Sequence, residues 1–289
     1  MGRSLARVFR RRADGHSWEM AYRSPPESVT RYVRQYCGYR ERTPAPLRRL
    51  EFPVPQAVAI FEFGPPIRLV DPADESRAER FAGGFVAGLG DTFAITEHDG
   101  FQQGMEVKLT PIGARLLFDV PMSELANRAV DMDDLLDPPE RGISHRLGEL
   151  TDWDARFDLL DDFIAGRIAR ARTPTDLAAW AMARIEETGG RLDIRALARE
   201  AGYSQKHLIS LFHDQVGLPP KLVARLVRFE RVMDHVKTRG PGRWADVAAR
   251  YGYYDQAHLI RDVRQFTGTT PTGAGHLVAE LAAMPGAGT

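Results

Sequence analysis

Apolar and polar positions change rhythm partway along the chain. Val54–Phe63 (VPQAVAIFEF) is rich in β-branched and aromatic residues and stops at Gly64-Pro65-Pro66, after which Ile67–Val70 resumes, predicting two strands joined by a turn. Phe85–Leu89, Phe93–Thr96 and Met105–Leu109 are further short runs of the same kind, separated by Gly90-Asp91, Asp99-Gly100 and Gln102-Gln103-Gly104. Short strands with closely spaced turn signals predict a small sandwich or barrel. At Thr110-Pro111 the rhythm becomes helical, since Thr caps a helix and Pro suits its first position. Asp152–Arg170 places Trp153, Phe157, Leu160, Ile164 and Ile168 on one face, with Asp158, Asp162 and Arg170 opposite. That face either packs on the strands or forms a dimer. Arg172-Thr173-Pro174-Thr175 reads as a boundary before another helix.

The last third repeats itself. Leu197–Tyr203 (LAREAGY) overlies Val247–Tyr253 (VAARYGY), and after one extra residue, Tyr254, Ser204–Ile209 overlies Asp255–Ile260, with Gly217 and Pro220 over Gly268 and Pro271. Such self-similarity means one structural unit occurs twice. Each copy reads as a helix-turn-helix. A short helix ends at Gly202 or Gly252, which supply the left-handed turn, and Ser204 or Asp255 caps the second helix. Leu208, Leu211 and Phe212 in the first copy, and Leu259, Val263 and Phe266 in the second, are its inward positions. Between the copies, Leu222, Leu226, Phe229, Met233 and Val236 mark one amphipathic helix over Pro219–Val236, about 27 Å long. A rod of that size holds two groove readers about one DNA turn, roughly 34 Å, apart.

The 289 residues suggest two domains, 1–171 rich in strands (helical from about 111) and 172–289, with helix-turn-helix units at about 193–216 and 244–267. The expected fold class is α+β, a small β-barrel domain followed by an all-α one. Net charge is zero, yet Arg172 to Arg264 carries 16 basic and 11 acidic residues, leaving +5 there and −5 elsewhere. That asymmetry suits a DNA-binding half joined to one with another task. No run is long and apolar enough for a membrane span, and MGRSLARVFRRR lacks the apolar core of a secretory signal, so a cytoplasmic protein is expected. The lone Cys37 cannot form an internal disulfide, and the expectation is a buried thiol.

The stretches ALAREAGYSQKHLISLF, the following Gly217-Leu218-Pro219-Pro220, RFERVMDHV and VAARYGYYDQAHLIRDVRQFTGTTP together resemble the DNA-binding domain of the AraC/XylS family of bacterial transcription regulators, over about Asp176 to His276. The chain departs from the family's habit at Ser210, often Arg there, and at Val263, often aromatic. The resemblance implies that the β-barrel domain is cupin-like, and it implies base contacts from Gln205, Lys206, Ile209 and Ser210 in the first unit and Gln256, Ala257, Ile260 and Arg261 in the second. Arg forks onto guanine, Gln onto adenine, and Ile or Ala touches a thymine methyl. His207 and His258 stand where the family contacts phosphate, or else are surface histidines without a partner. The implied partners are double-stranded DNA and RNA polymerase, with a small-molecule effector on the strand domain and a homodimer left open. Membranes and cofactors are not implied.

The strand half does not reveal an effector. Tyr36, Phe61, Phe63, Phe93 and Phe101 line either a cavity or a plain core, and the irregularly spaced Tyr22, Tyr32, Tyr36 and Tyr39 read as packing. His98 beside Glu97 invites a metal, but no H-x-H pair exists and His16, His98 and His145 are scattered, so neither a metal site nor catalytic residues are expected. Two other function classes compete. A cupin-type enzyme fused to a DNA-binding module would need those metal ligands, and a cysteine-based DNA-repair activator would need Cys37 as nucleophile, between Arg34 and Arg40 with no base nearby.

Overall fold

A computed structural model describes residues 4–171, 176–240 and 242–283. Eleven strands fill the first half among the described residues: β1 (Arg7–Ala13), β2 (His16–Arg23), β3 (Val33–Arg42), β4 (Leu47–Glu51), β5 (Ala57–Glu62), β6 (Arg68–Asp71), β7 (Asp74–Arg80), β8 (Gly84–Ala87), β9 (Ala94–His98), β10 (Phe101–Leu109) and β11 (Ala129–Asp131). They form a seven-stranded sheet in the order β1-β2-β3-β10-β5-β8-β11 and a four-stranded sheet in the order β4-β9-β6-β7. The runs at 54–63 and 67–70 are both strands, β5 and β6, but they belong to different sheets. The Gly64-Pro65-Pro66 segment carries the chain from one sheet to the other instead of folding it back, and a proline could not donate to a ladder there.

Helices α1 (Pro111–Phe118), α2 (Ile143–Glu149) and α3 (Trp153–Arg170) follow. Thr110 caps α1, its hydroxyl accepting from the Gly113 amide at 3.0 Å, and Asp152 caps α3 through the Ala155 amide at 3.0 Å. The apolar face of α3 lies on its own sheet, with Phe157 stacked on Tyr36 at 6.0 Å and Trp153 seated on Gly38. A Cβ at Gly38 would come within 2.4 Å of that indole, so glycine is what lets the helix approach. The packing alternative for this helix therefore holds, and its apolar face is occupied within the chain.

The second half is helical: α4 (Asp176–Glu187), α5 (Ile194–Glu200), α6 (Gln205–Gln215), α7 (Pro220–Arg239), α8 (Trp244–Arg250), α9 (Gln256–Thr267) and α10 (Pro271–Ala283). The expected boundary at Arg172–Thr175 lies outside the described residues. The rod α7 buries Val223, Leu226, Phe229, Val232, Met233 and Val236. Its 20 residues span about 30 Å. One apolar cluster runs from Ala21 through Phe61 and Phe157 to Phe229 and Phe266, so the core is continuous between strands and helices. No helix among the described residues is long and apolar enough to cross a membrane.

Candidate nucleic-acid interface

Both copies of the repeat fold as helix, turn and helix. Gly202 and Gly252 adopt φ of 76° and 75°, the left-handed turn that a Cβ would strain. Ser204 accepts from the His207 amide at 3.1 Å and Asp255 from the His258 amide at 2.7 Å, so each second helix starts with a side-chain cap. Burial then divides each helix lengthwise. In α6, Leu208 and Phe212 are fully buried while Gln205, Lys206, His207, Ile209 and Ser210 are exposed. In α9, Leu259, Val263 and Phe266 are buried, Gln256, Ala257 and Arg261 are exposed, and Ile260 is half-buried. Thus seven of the eight expected base-contacting residues are exposed on an outward face, with Ile260 half-buried at its edge, and the inward face seats each helix. Ile209 is 39% exposed, a large apolar side chain in water on that face.

The histidines differ. His207 is exposed and its ring stacks on Tyr203 at 4.7 Å. His258 is half-buried, packs edge-on against Tyr253 at 5.1 Å, and its Nδ1 accepts from the Tyr254 amide at 3.5 Å. This residue therefore has intramolecular partners that the sequence did not indicate. Sequence reasoning also passed over Tyr254, which is 94% exposed immediately before the Asp255 cap. Its signal was present as the one extra residue in the second copy.

The rear ends of both outward helices meet the strand half. Asp214 of α6 pairs with Arg115 of α1 at 3.3 Å, and Gly217 lies against the Met122 carbonyl. At the end of α9, Gln265 Nε2 donates to the Asp91 carbonyl at 3.2 Å, the Thr92 hydroxyl donates to the Gln265 carbonyl at 3.4 Å, and the Phe93 ring rests on Gly268. These links join the β8–β9 loop to the second unit.

Elsewhere in the strand half, Tyr36 and Phe61 are core, Phe63 lies under the Arg156 guanidinium, Phe93 faces Gly268 and Phe101 lies under the Arg42 guanidinium, so the five aromatics do not converge on one cavity. His98 is buried and faces Glu41, not Glu97, with Nε2 3.5 Å from that carboxylate and Nδ1 accepting from the Gly100 amide. Burial opposes ionisation of Glu41, but hydrogen bonds from His98, Arg49 and Gln102 outweigh it and hold its carboxyl well below the usual range. No group of three potential metal ligands occurs among the described residues. Burial, with Glu106 adding, pushes the Cys37 thiol up to about 12, opposite to what a nucleophile needs, which removes the support for a cysteine-based repair activity.

Residues 197–274 match the family described as a helix-turn-helix domain. Among solved structures, ToxT from Vibrio cholerae is 10% identical, with 81% of this chain and 98% of that one covered at a TM-score of 0.46. ToxT from Vibrio cholerae strain SCE256 with a bound unsaturated fatty acid gives 8%, 82%, 96% and 0.43 for the same quantities. The AraC-like transcriptional activator CuxR gives 15%, 71%, 80% and 0.30. No curated protein matches the chain.

Proposed function

Since residues 197–274 are a helix-turn-helix domain of the AraC type, we propose that the chain is a bacterial, cytoplasmic transcription regulator that reads DNA sequence with α6 and α9. The observation that carries this is the lengthwise division of the two helices, each capped, seated by buried apolar residues and exposed along its outward face. In this reading Gln205, Lys206, Ile209 and Ser210, with Gln256, Ala257, Ile260 and Arg261, meet base edges in successive major grooves. His207, and His258 through Nε2, meet phosphate. The full chain should bind double-stranded DNA with steep salt dependence, because each neutralised phosphate releases counterions. Absence of binding to a genomic DNA pool at about 50 mM salt would overturn the reading.

Modulation by a small molecule through the strand half is the finer part of the proposal. Its support is the set of contacts from Asp91, Thr92 and Phe93 to the end of α9, through which a shift in the strands would move a reader. A cleft of about 370 Å³ opens on the sheet. Cross-strand register places Arg10, Glu19 and Arg40 in one row, and Arg12, Ser17, Arg42 and Phe101 in the next. Glu19 stands between the two arginines of the first row, pairing with Arg10 at 2.5 Å and lying 3.9 Å from Arg40. Arg12 and Arg42 flank the Ser17 hydroxyl with no acidic partner among the described residues, which suits an anionic effector. Any anion that raises the melting temperature of the wild type should lose that effect in an Arg12→Ala, Arg42→Ala variant. An undiminished shift would place the effector elsewhere.

A further inference from the structure

A second concavity, of about 470 Å³, runs along the later half of α7. One wall is the lead-in to the first unit, at Gly189 and Arg191, and the other is the end of α8 with the start of the second unit's turn, at Arg250 and Tyr251. Arg231, His235 and Arg239 of α7 form the floor. The lining is thus drawn from both helix-turn-helix units and from the rod that joins them.

Four guanidiniums share this groove with one carboxylate, Asp234, and none of the four has an ion-pair partner among the described residues. Two of them lie close over glycine backbones: a Cβ on Gly189 would stand 1.6 Å from Arg231 Nη1, and one on Gly252 would stand 2.5 Å from Arg191 Cδ. Arg191 Nε also donates to the Thr188 carbonyl at 3.2 Å. The Tyr251 ring packs edge-on against His235 at 5.6 Å. Desolvation, then Arg250 and Arg239, disfavour the proton on His235, which reports the positive potential of the groove at an independent group. Four guanidiniums against one carboxylate leave the groove with an excess of positive charge that favours an anion.

We propose that this groove grips the sugar-phosphate backbone of the DNA lying between the two reading helices, as a third anchor without sequence preference. The inference rests on the DNA-binding reading above. The length of α7 predicts readers about one DNA turn apart, which leaves an intervening stretch of backbone that neither touches, and arginine forks match phosphate oxygens in geometry as well as charge.

The test compares the salt dependence of binding by the full-length wild type, the variant Arg239→Ala, Arg250→Ala, and a control, Arg7→Ala, Arg146→Ala, that loses the same charge from exposed sites in the strand half. Arg239 and Arg250 are exposed, and circular dichroism checks the fold of each variant. The groove variant should lose about two units of slope, with operator and unrelated DNA weakened by the same factor, while the control keeps the wild-type slope. A groove variant with the control's slope would overturn the proposal. So would a wild type whose groove takes up inorganic pyrophosphate by calorimetry, lost in the variant with the DNA slope unchanged, which would make it a small-anion pocket. A wild type that binds no DNA sinks the regulator reading as well, so the two failures are distinguishable.

Discussion

The two helix-turn-helix units share a backbone plan but are seated by different chemistry. In the first, Leu211 of α6 packs against Ile112 and Leu116 of α1 and Ala178 of α4. In the second, the position equivalent to Leu211 is Asp262, which is 1% exposed and accepts from Arg225 of α7 at 3.1 Å (Nε) and 2.8 Å (Nη2). The same guanidinium donates to Gln265 Oε1 at 2.6 Å and lies over the Phe266 ring at 5.2 Å. Apolar contact is non-directional and tolerates a small rotation of the helix, whereas a guanidinium fork fixes its rotation and height. The second unit is also the one that carries Arg261, for which the proposed bidentate contact to guanine would demand such precision. The contrast therefore assigns geometrical exactness to the second reader and adaptable packing to the first.

Breaking the ionic seat should give the largest effect. Arg225→Ala leaves the Asp262 carboxylate buried without its partner, at a cost of about 3–5 kcal/mol. Leu211→Ala removes a half-buried side chain from the first seat and should cost about 1–2 kcal/mol. Urea denaturation checks the order of the two. Replacing the whole pair, Arg225→Leu with Asp262→Leu, should restore most of the stability but not the sequence preference, since apolar packing cannot hold the rotation. Full preference in that variant would break the proposed division of labour.

A second effect acts on the rod common to both units. Burial, reinforced by Asp234 and Glu186, raises the Glu230 carboxyl from its ordinary 4.5 to about 7, with Lys108 and Arg34 opposing. The side chain faces Gln56 of the strand half at 3.5 Å. Its folded value lies above its unfolded one, so folding takes up a proton between the two, and stability falls as pH rises from about 4.5 to about 7 and is level above that. Glu230→Gln should remove the decline, standing about 2–3 kcal/mol above the wild type at pH 8 and equal to it near pH 4. Thermal melts across that range decide it. Because Glu230 sits between the units, hydrogen exchange should slow in both, unlike the Arg225 effect, which is confined to the second.

How far these features were legible in the sequence depended on solvent. The helical repeat announced itself because Leu208, Phe212, Leu259 and Phe266 each face a core, which imposes a helical period on the sequence. Strands β1 and β7 passed unseen, since RVFRRRA and DESRAER are solvated on both faces, and β4, LRRLE, passed unseen because its half-buried positions include an arginine. Strand β3 hid its alternation behind Gly38, a small residue set by Trp153, which lies more than a hundred residues away. The inward positions of α6 and α9 were readable from spacing, whereas the outward residues singled out on them came from the family resemblance. The links from Asp91, Thr92 and Phe93 to the end of α9 were not readable, because a contact between distant segments leaves no local pattern. Asp262 was equally hidden, since a buried carboxylate makes sense only once Arg225 is beside it.

The reading faces themselves should differ by less. Arg261→Ala should weaken binding at the preferred operator by about 1–3 kcal/mol and relax preference at one position, with unrelated DNA much less affected. Arg261→Lys, which restores charge without the fork, should recover only part of the loss. Ser210→Ala, at the equivalent position of the first unit, should change affinity by no more than about 1 kcal/mol. Selection of binding sites from random DNA reports both. If Arg261→Ala and the wild type select the same consensus, specificity rests on the first unit, and the contrast between a precise and an adaptable reader is reversed.

The smallest effect separates the two turns. Tyr203 of the first turn is 49% exposed and stacks on His207, whereas its equivalent, Tyr253, is 5% exposed beneath Arg228 and His258. The one-residue insertion supplies Tyr254 in its stead, 94% exposed and adjacent to the cap of α9. A large aromatic left in water has no role in folding, so Tyr254→Ala should alter stability by less than about 0.5 kcal/mol. On DNA, a hydroxyl at the mouth of a recognition helix is placed to donate to a phosphate oxygen, a hydrogen bond to a charged group worth about 1 kcal/mol at an exposed site. Tyr254→Ala and Tyr254→Phe should therefore weaken operator and unrelated DNA alike and by the same amount, because both remove the hydroxyl. Tyr203→Ala should instead act through His207, and its effect should vanish when His207 is already Ala. If Tyr254→Phe binds as the wild type does while Tyr254→Ala does not, the ring and not the hydroxyl makes the contact. If neither variant differs from the wild type, the inserted residue does not reach DNA, and the two turns are alike in function despite their different lengths.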